Sequence, residues 1–238
     1  IDVNDFDEAT LGPWEWDLKR LVASVNVAGR DNGMSRRERR RAVLGAVRGY
    51  RFNIARVSTM GVLEVWSLFA HAERVQNAVK IPKKAWALVQ KVVAKAKATT
   101  NETLLPKVAQ RRHDGGWRFV EDPPILTRVD DEMRAKIAAS LIEYAEHLSP
   151  EYRFMLRRYG LADVAHRVVG VGSVGTRAYL ALLFGNGDHD PLFLQVKEAT
   201  IPAHAPYLPV APMRGEHQGF RVVAGQRALQ ALGDPMLG

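Results

Sequence analysis

Between residues 167 and 199 the chain reads RVVGVGSVGTRAYLALLFGNGDHDPLFLQVKEA, and this stretch limits the possible folds more than any other. Gly170-Val171-Gly172-Ser173-Val174-Gly175 fits the pattern G-x-G-x-x-G. In a dinucleotide-binding unit such a loop opens a helix, whose N-terminus meets the pyrophosphate. Here Thr176 to Phe184 follows, an apolar run closed by Gly185-Asn186-Gly187. That spacing predicts a strand and a hairpin turn, not a helix. A third extended run, Pro191 to Ala199, comes next. Ser173 directly follows Gly172, so the register of a G-x-S-x-G nucleophile elbow fails.

Strand, glycine loop, strand is the arrangement in which a loop folds over nucleotide phosphates, with a lysine on the third strand reaching the α- and β-phosphates. Gly170, Gly172, Ser173 and Gly175 are therefore candidate phosphate contacts, and Lys197 is the candidate lysine. The same residues also suit a plain β-meander with a glycine-rich turn and a lysine lying along its own strand. A kinase-type site also takes a glutamate from the following helix. The helical spacing at 217–232 offers Gln226 and Arg227 but no interior glutamate; Glu216, at its start, is the acid nearby.

The opening of the chain carries a second candidate. Asp2-Val3-Asn4-Asp5-Phe6-Asp7-Glu8 follows a strand-like start and packs four acids into seven positions. On an extended segment Asp5 and Asp7 point the same way. Magnesium takes hard oxygen ligands, commonly one or two carboxylates with substrate phosphates, so these two are the candidate metal ligands. A solvated acidic turn is the alternative. Gly12-Pro13 then breaks the chain, and a helix is expected from about Trp14, with Leu18, Leu21, Val22 and Val25 at helical spacing and Asp17 as a candidate cap.

Further helices are expected after a turn at Asp31-Asn32-Gly33. Ser35-Arg36-Arg37-Glu38 has the form of a capping box before a helix to about Val47. Asn53 to His71, Ala72 to Ala98, Asp130 to Leu148 and Glu151 to Tyr159 are the next candidates, the last closed by Gly160. Thr99-Thr100-Asn101 reads as a loop, and Trp117 to Val120 as a short extended segment. The expected organisation is α+β: a helical part at 1–160 and a β-rich part at 161–238.

The 238 residues suffice for one large domain or two lobes. There is no cysteine, which excludes disulfides and thiolate metal sites and fits a cytoplasmic home. No apolar run has membrane-spanning length, so no membrane partner is expected. None of the seven histidines falls at a metal-ligand spacing. The net charge of +8 suits phosphorylated small molecules, nucleic acid or anionic lipid heads without choosing among them. Arg36-Arg37-Glu38-Arg39-Arg40-Arg41 suits nucleic-acid phosphates, but no aromatic signature stands beside it in sequence, and a solvated helix face is the favoured reading.

IDVNDFDEATLGPWEWDLKRL at 1–21, RVVGVGSVGTRAYLALLFG at 167–185, PLFLQVKEA at 191–199 and HQGFRVVAGQRALQ at 217–230 resemble the bacterial domain of unknown function 2252 family over the whole chain. That family in turn resembles the aminoglycoside-phosphotransferase and choline-kinase branch of the protein-kinase-like fold. The resemblance implies an ATP-dependent phosphotransferase acting on an unknown small molecule, with ATP and magnesium as cofactors. Asp5 and Asp7 would match the metal position, and Asp17-Leu18 the Asp-Leu of a helix start. It also implies a circular permutation, because here the acidic motif precedes the glycine loop. A catalytic base would lie upstream of Ile1, so the chain reads as a fragment, inactive alone. The alternative is a non-catalytic nucleotide- or polyanion-binding module of pseudokinase type.

Overall fold

The computed structural model describes residues 5–67, 83–168, 170, 175–208, 217–230 and 233–238. Their elements are α1 (Glu15–Asp31), α2 (Arg36–Val57), α3 (Val62–Ser67), α4 (Lys83–Ala98), α5 (Asn101–Val108), β1 (Ala109–Arg111), β2 (Trp117–Phe119), β3 (Leu126–Arg128), α6 (Asp131–His147), α7 (Pro150–Leu156), β4 (Gly160–Arg167), β5 (Ala178–Phe184), β6 (Pro191–Lys197) and α8 (Gln218–Leu229). The expected α+β class holds. The chain forms two compact units. One comprises 1–80, 201–216 and 224–232; the other comprises 81–200, 217–223 and 233–238.

In the first unit, α1 and α2 form a helical hairpin. Asn32 ends α1, Gly33 takes a left-handed φ of +70°, and Met34 and Gly33 donate their N–H groups to the carbonyls of Gly29 and Arg30. This is a Schellman closure, and glycine is the residue that adopts its conformation without strain. α2 starts at the expected capping box: Ser35 Oγ accepts the Glu38 N–H, and the Ser35 N–H reaches Glu38 at 2.8 Å. The helix runs ten residues beyond the expected Val47. Gly29 lets the two helices close up, since a methyl there would stand 2.9 Å from the Arg39 side chain. Leu18, Val22 and Val25 are half-buried along α1 as expected, but Leu21 is exposed.

In the second unit, β3-β4-β5-β6 form a four-stranded antiparallel meander, and β1-β2 a separate hairpin. β5 is the centre. Leu180 and Leu182 pack with Leu105, Ala109, Phe119, Leu126 and Ala165, under α5 and the hairpin. Ala181 and Leu183 pack with Ala145, Leu148 and Leu156, from α6 and α7. A strand covered on both faces has no solvent side to carry polar residues, which is why AYLALLF is unbroken where a one-sided strand would alternate.

Two local expectations change. Thr100 is not in a loop: its side chain accepts the Thr103 N–H and caps α5. Gly160 does not close a helix; α7 ends at Leu156, and Gly160 is the first residue of β4, paired with Phe184. The acidic start Asp2 to Asn4 and the residues Gly172 and Ser173 lie outside the described residues.

Candidate functional site

The glycine loop joins two antiparallel neighbours, as expected. β4 ends at Arg167 and β5 begins at Ala178, with His166 paired to Tyr179. A strand, not a helix, follows the loop, so the dinucleotide-binding arrangement is excluded. Gly175 has φ +94°, a conformation that side chains resist. Among the described residues nothing comes within 4 Å of a Cβ built on Gly170 or Gly175. The absence of a side chain at these two positions is what close approach of a phosphate to backbone needs.

Lys197 is the last residue of β6 and pairs with Ala178. The lysine-bearing end of β6 is thus the loop end of the sheet, one strand away from where the loop re-enters β5. Lys197 is exposed, and among the described residues it has no ion-pair partner. The next residue, Glu198, is committed elsewhere. Its Oε1 accepts from Arg177 Nη2 at 2.7 Å, and its Oε2 from the Arg177 N–H at 3.1 Å. The Glu198 N–H in turn donates to the Arg177 carbonyl at 2.8 Å. These bonds hold the Glu198 carboxyl below the ordinary carboxylate range. They also tie the mouth of the loop to the end of β6. This clamp was missed in the sequence, although the register carries it: once the 185–190 turn is located, 177 falls opposite 198.

From Asp5 onward the acidic segment, in the first unit, is a turn and not an extended strand: the Ala9 N–H donates to the Phe6 carbonyl at 2.9 Å. Strand alternation therefore does not align Asp5 with Asp7. Asp5 is exposed at φ +69°, a left-handed conformation that aspartate tolerates better than most residues. Phe6 is buried. Glu8 anchors the segment, accepting the Ala203 N–H at 2.7 Å with His204 Nδ1 at 3.7 Å. Trp16 meets His204 edge-on. Among the described residues no group of three or more His, Cys, Asp or Glu side chains is gathered as a metal cage. Asp17 is an exposed acid in the first turn of α1, where it complements the helix dipole; Trp14 stands at the N-cap without a side-chain bond.

The helix after β6 carries no glutamate: α8 reads QGFRVVAGQRAL. Its buried polar residue is Arg221, whose guanidinium donates to Gln218 Oε1 and to the Thr200 carbonyl, each at 2.9 Å. Among the described residues no helix is long and apolar enough to cross a membrane.

No curated protein and no solved structure matches this chain. A family model described as "Uncharacterized protein conserved in bacteria (DUF2252)" matches residues 1–238, and the chain belongs to that family.

Proposed function

We propose that this chain supplies the nucleotide-phosphate site of an ATP-dependent phosphotransferase of protein-kinase-like type, with a small molecule as acceptor. The observation that carries the reading is the common end of β4, β5 and β6: the strands that flank the glycine loop, and one strand away an exposed lysine with no ion-pair partner among the described residues. Gly170, Gly172, Ser173 and Gly175 would cradle the phosphates through backbone N–H groups. Lys197 would set a full positive charge against the α- and β-phosphates. Asp5 and Asp7, in the first unit, have the hard oxygen donors that suit magnesium; in phosphoryl transfer such an ion supplies charge neutralisation at the β- and γ-phosphates. The contribution of this chain is positioning and charge compensation, which is most of what phosphoryl transfer asks of a protein.

One observation favours a second reading, a nucleotide-binding module without catalysis. α8 offers Lys197 no carboxylate, and Glu198 is clamped by Arg177. Thermal unfolding of the chain with ATP, with and without magnesium, separates the two. The phosphotransferase reading expects a magnesium-dependent rise in Tm that vanishes in Lys197→Ala and becomes magnesium-independent in Asp5→Asn/Asp7→Asn. A rise that never depends on magnesium selects the binding module. No rise at millimolar ATP sinks both.

A further inference from the structure

The arginines of α2 form a stripe. At 100° per residue, Arg37, Arg40, Arg41, Arg48 and Arg51 fall within about a third of the helix circumference, over about 21 Å of its axis. All five are exposed. Among the described residues none forms an ion pair. The residues turned from solvent are on the other side: Arg39, Ala42, Val43, Ala46 and Tyr50 are half-buried in the helical hairpin. The arginine face is thus fixed outward by the packing of α1 on α2.

At the C-terminal end of the stripe the same unit has an open groove of about 660 Å³, lined by Trp14, Arg48, Tyr50, Arg51, Phe52 and Ile54 among others. Trp14 and Tyr50 stack nearly parallel, 7° apart with centroids 5.9 Å apart. Phe52 is 69% exposed and Trp14 58%. The aromatic residues absent from the arginine run in sequence are therefore supplied beside it in space.

We infer that this face binds a single-stranded polynucleotide, its phosphates along the arginine stripe and one or more bases in the aromatic groove. Three features favour this occupant. Guanidinium groups pair with phosphate and also stack on rings. Exposed aromatic faces accept unpaired bases, which a duplex withholds. A membrane-surface helix, by contrast, turns a broad apolar side outward, whereas the exposed large apolar side chains of α2, Leu44, Phe52 and Ile54, are fewer than its five exposed stripe arginines. The inference uses none of the residues of the phosphotransferase reading.

Fluorescence anisotropy of the full chain with fluorescein-labelled oligo-U and oligo-dT of roughly 16 nucleotides tests it. Matched duplexes and phosphatidylserine vesicles run alongside. Both single strands should bind, with a log–log salt slope of at most about −3.5 for five phosphate contacts. Arg48→Glu/Arg51→Glu should weaken binding more than tenfold. Phe52→Ala, at an exposed position that leaves the fold intact by circular dichroism, should weaken it about tenfold. Lys197→Ala should leave it unchanged. Three outcomes overturn the inference: equal affinity for duplex with no effect of Phe52→Ala, capture by vesicles without polynucleotide binding, or no binding at 50 mM salt.

Discussion

Asp190 organises the turn between β5 and β6 through both carboxylate oxygens. Oδ1 accepts from the Tyr159 hydroxyl at 2.7 Å and Oδ2 from the Asn186 N–H at 2.9 Å. The backbone bond and then the tyrosine hold its carboxyl below the ordinary 3.8. A carboxylate whose folded value is depressed stabilises the fold fully above its unfolded value and loses that contribution as pH falls through the folded one. The Tm of the wild type should thus drop below about pH 4, and Asp190→Asn should flatten that part of the profile. Gly185 faces the same group: a methyl there would stand 2.3 Å from Asp190 Oδ2. Gly185→Ala should cost about 1–3 kcal/mol in urea unfolding, as overpacking does. The two glycines at 185 and 187 mark this turn plainly in the sequence. The anchor is hidden, because Tyr159 lies 31 residues upstream and meets Asp190 only once β4 and β5 have paired.

Among the elements, what shows in sequence is what is settled locally. The Ser35–Glu38 box and the Asn32-Gly33 closure act within a turn of helix, and both are present as expected. Ser35→Ala should lower stability by about 1 kcal/mol, read from the helical signal on thermal melting. The Thr100 cap works on the same principle but lacks the signature: Thr103 fills the place usually held by glutamate, and Pro106 inside α5 disguises the helix. β5 is legible as a strand, yet its centrality is not, since a continuous apolar run also suits a buried helix. Leu182 is fully buried at its middle. Leu182→Ala should cost about 2–5 kcal/mol and steepen amide exchange across β4 and β6. The acidic turn shows the reverse case. Its composition is obvious, but whether it is extended or turned rests on the burial of Phe6 and the Glu8–Ala203 bond, both made with residues remote in sequence.

Over the whole molecule β4 begins at Gly160, close to where the sequence changes texture, but the compact units divide elsewhere, the second comprising 81–200, 217–223 and 233–238. Three short strands before β4 are too brief to carry a periodic signal, and β3 nevertheless completes the sheet. Charge is uneven as well: residues 36–57 hold eight arginines against one glutamate. The described ion pairs are largely exposed, and such pairs contribute about 0–1 kcal/mol each. Self-repulsion at net +8 should therefore prevail. Raising salt from about 20 to about 200 mM, which shortens the screening length, should raise the Tm; a fall would mean that the ion pairs outweigh the repulsion.

The meander order β3-β4-β5-β6 means that every strand of the main sheet hydrogen-bonds to its immediate successor in the chain. β4, β5 and β6 follow one another closely, and closing such neighbours loses little chain entropy; β3 joins from beyond α6 and α7. The glycine-rich connection and the lysine are therefore brought to one rim by pairings between strands close in sequence.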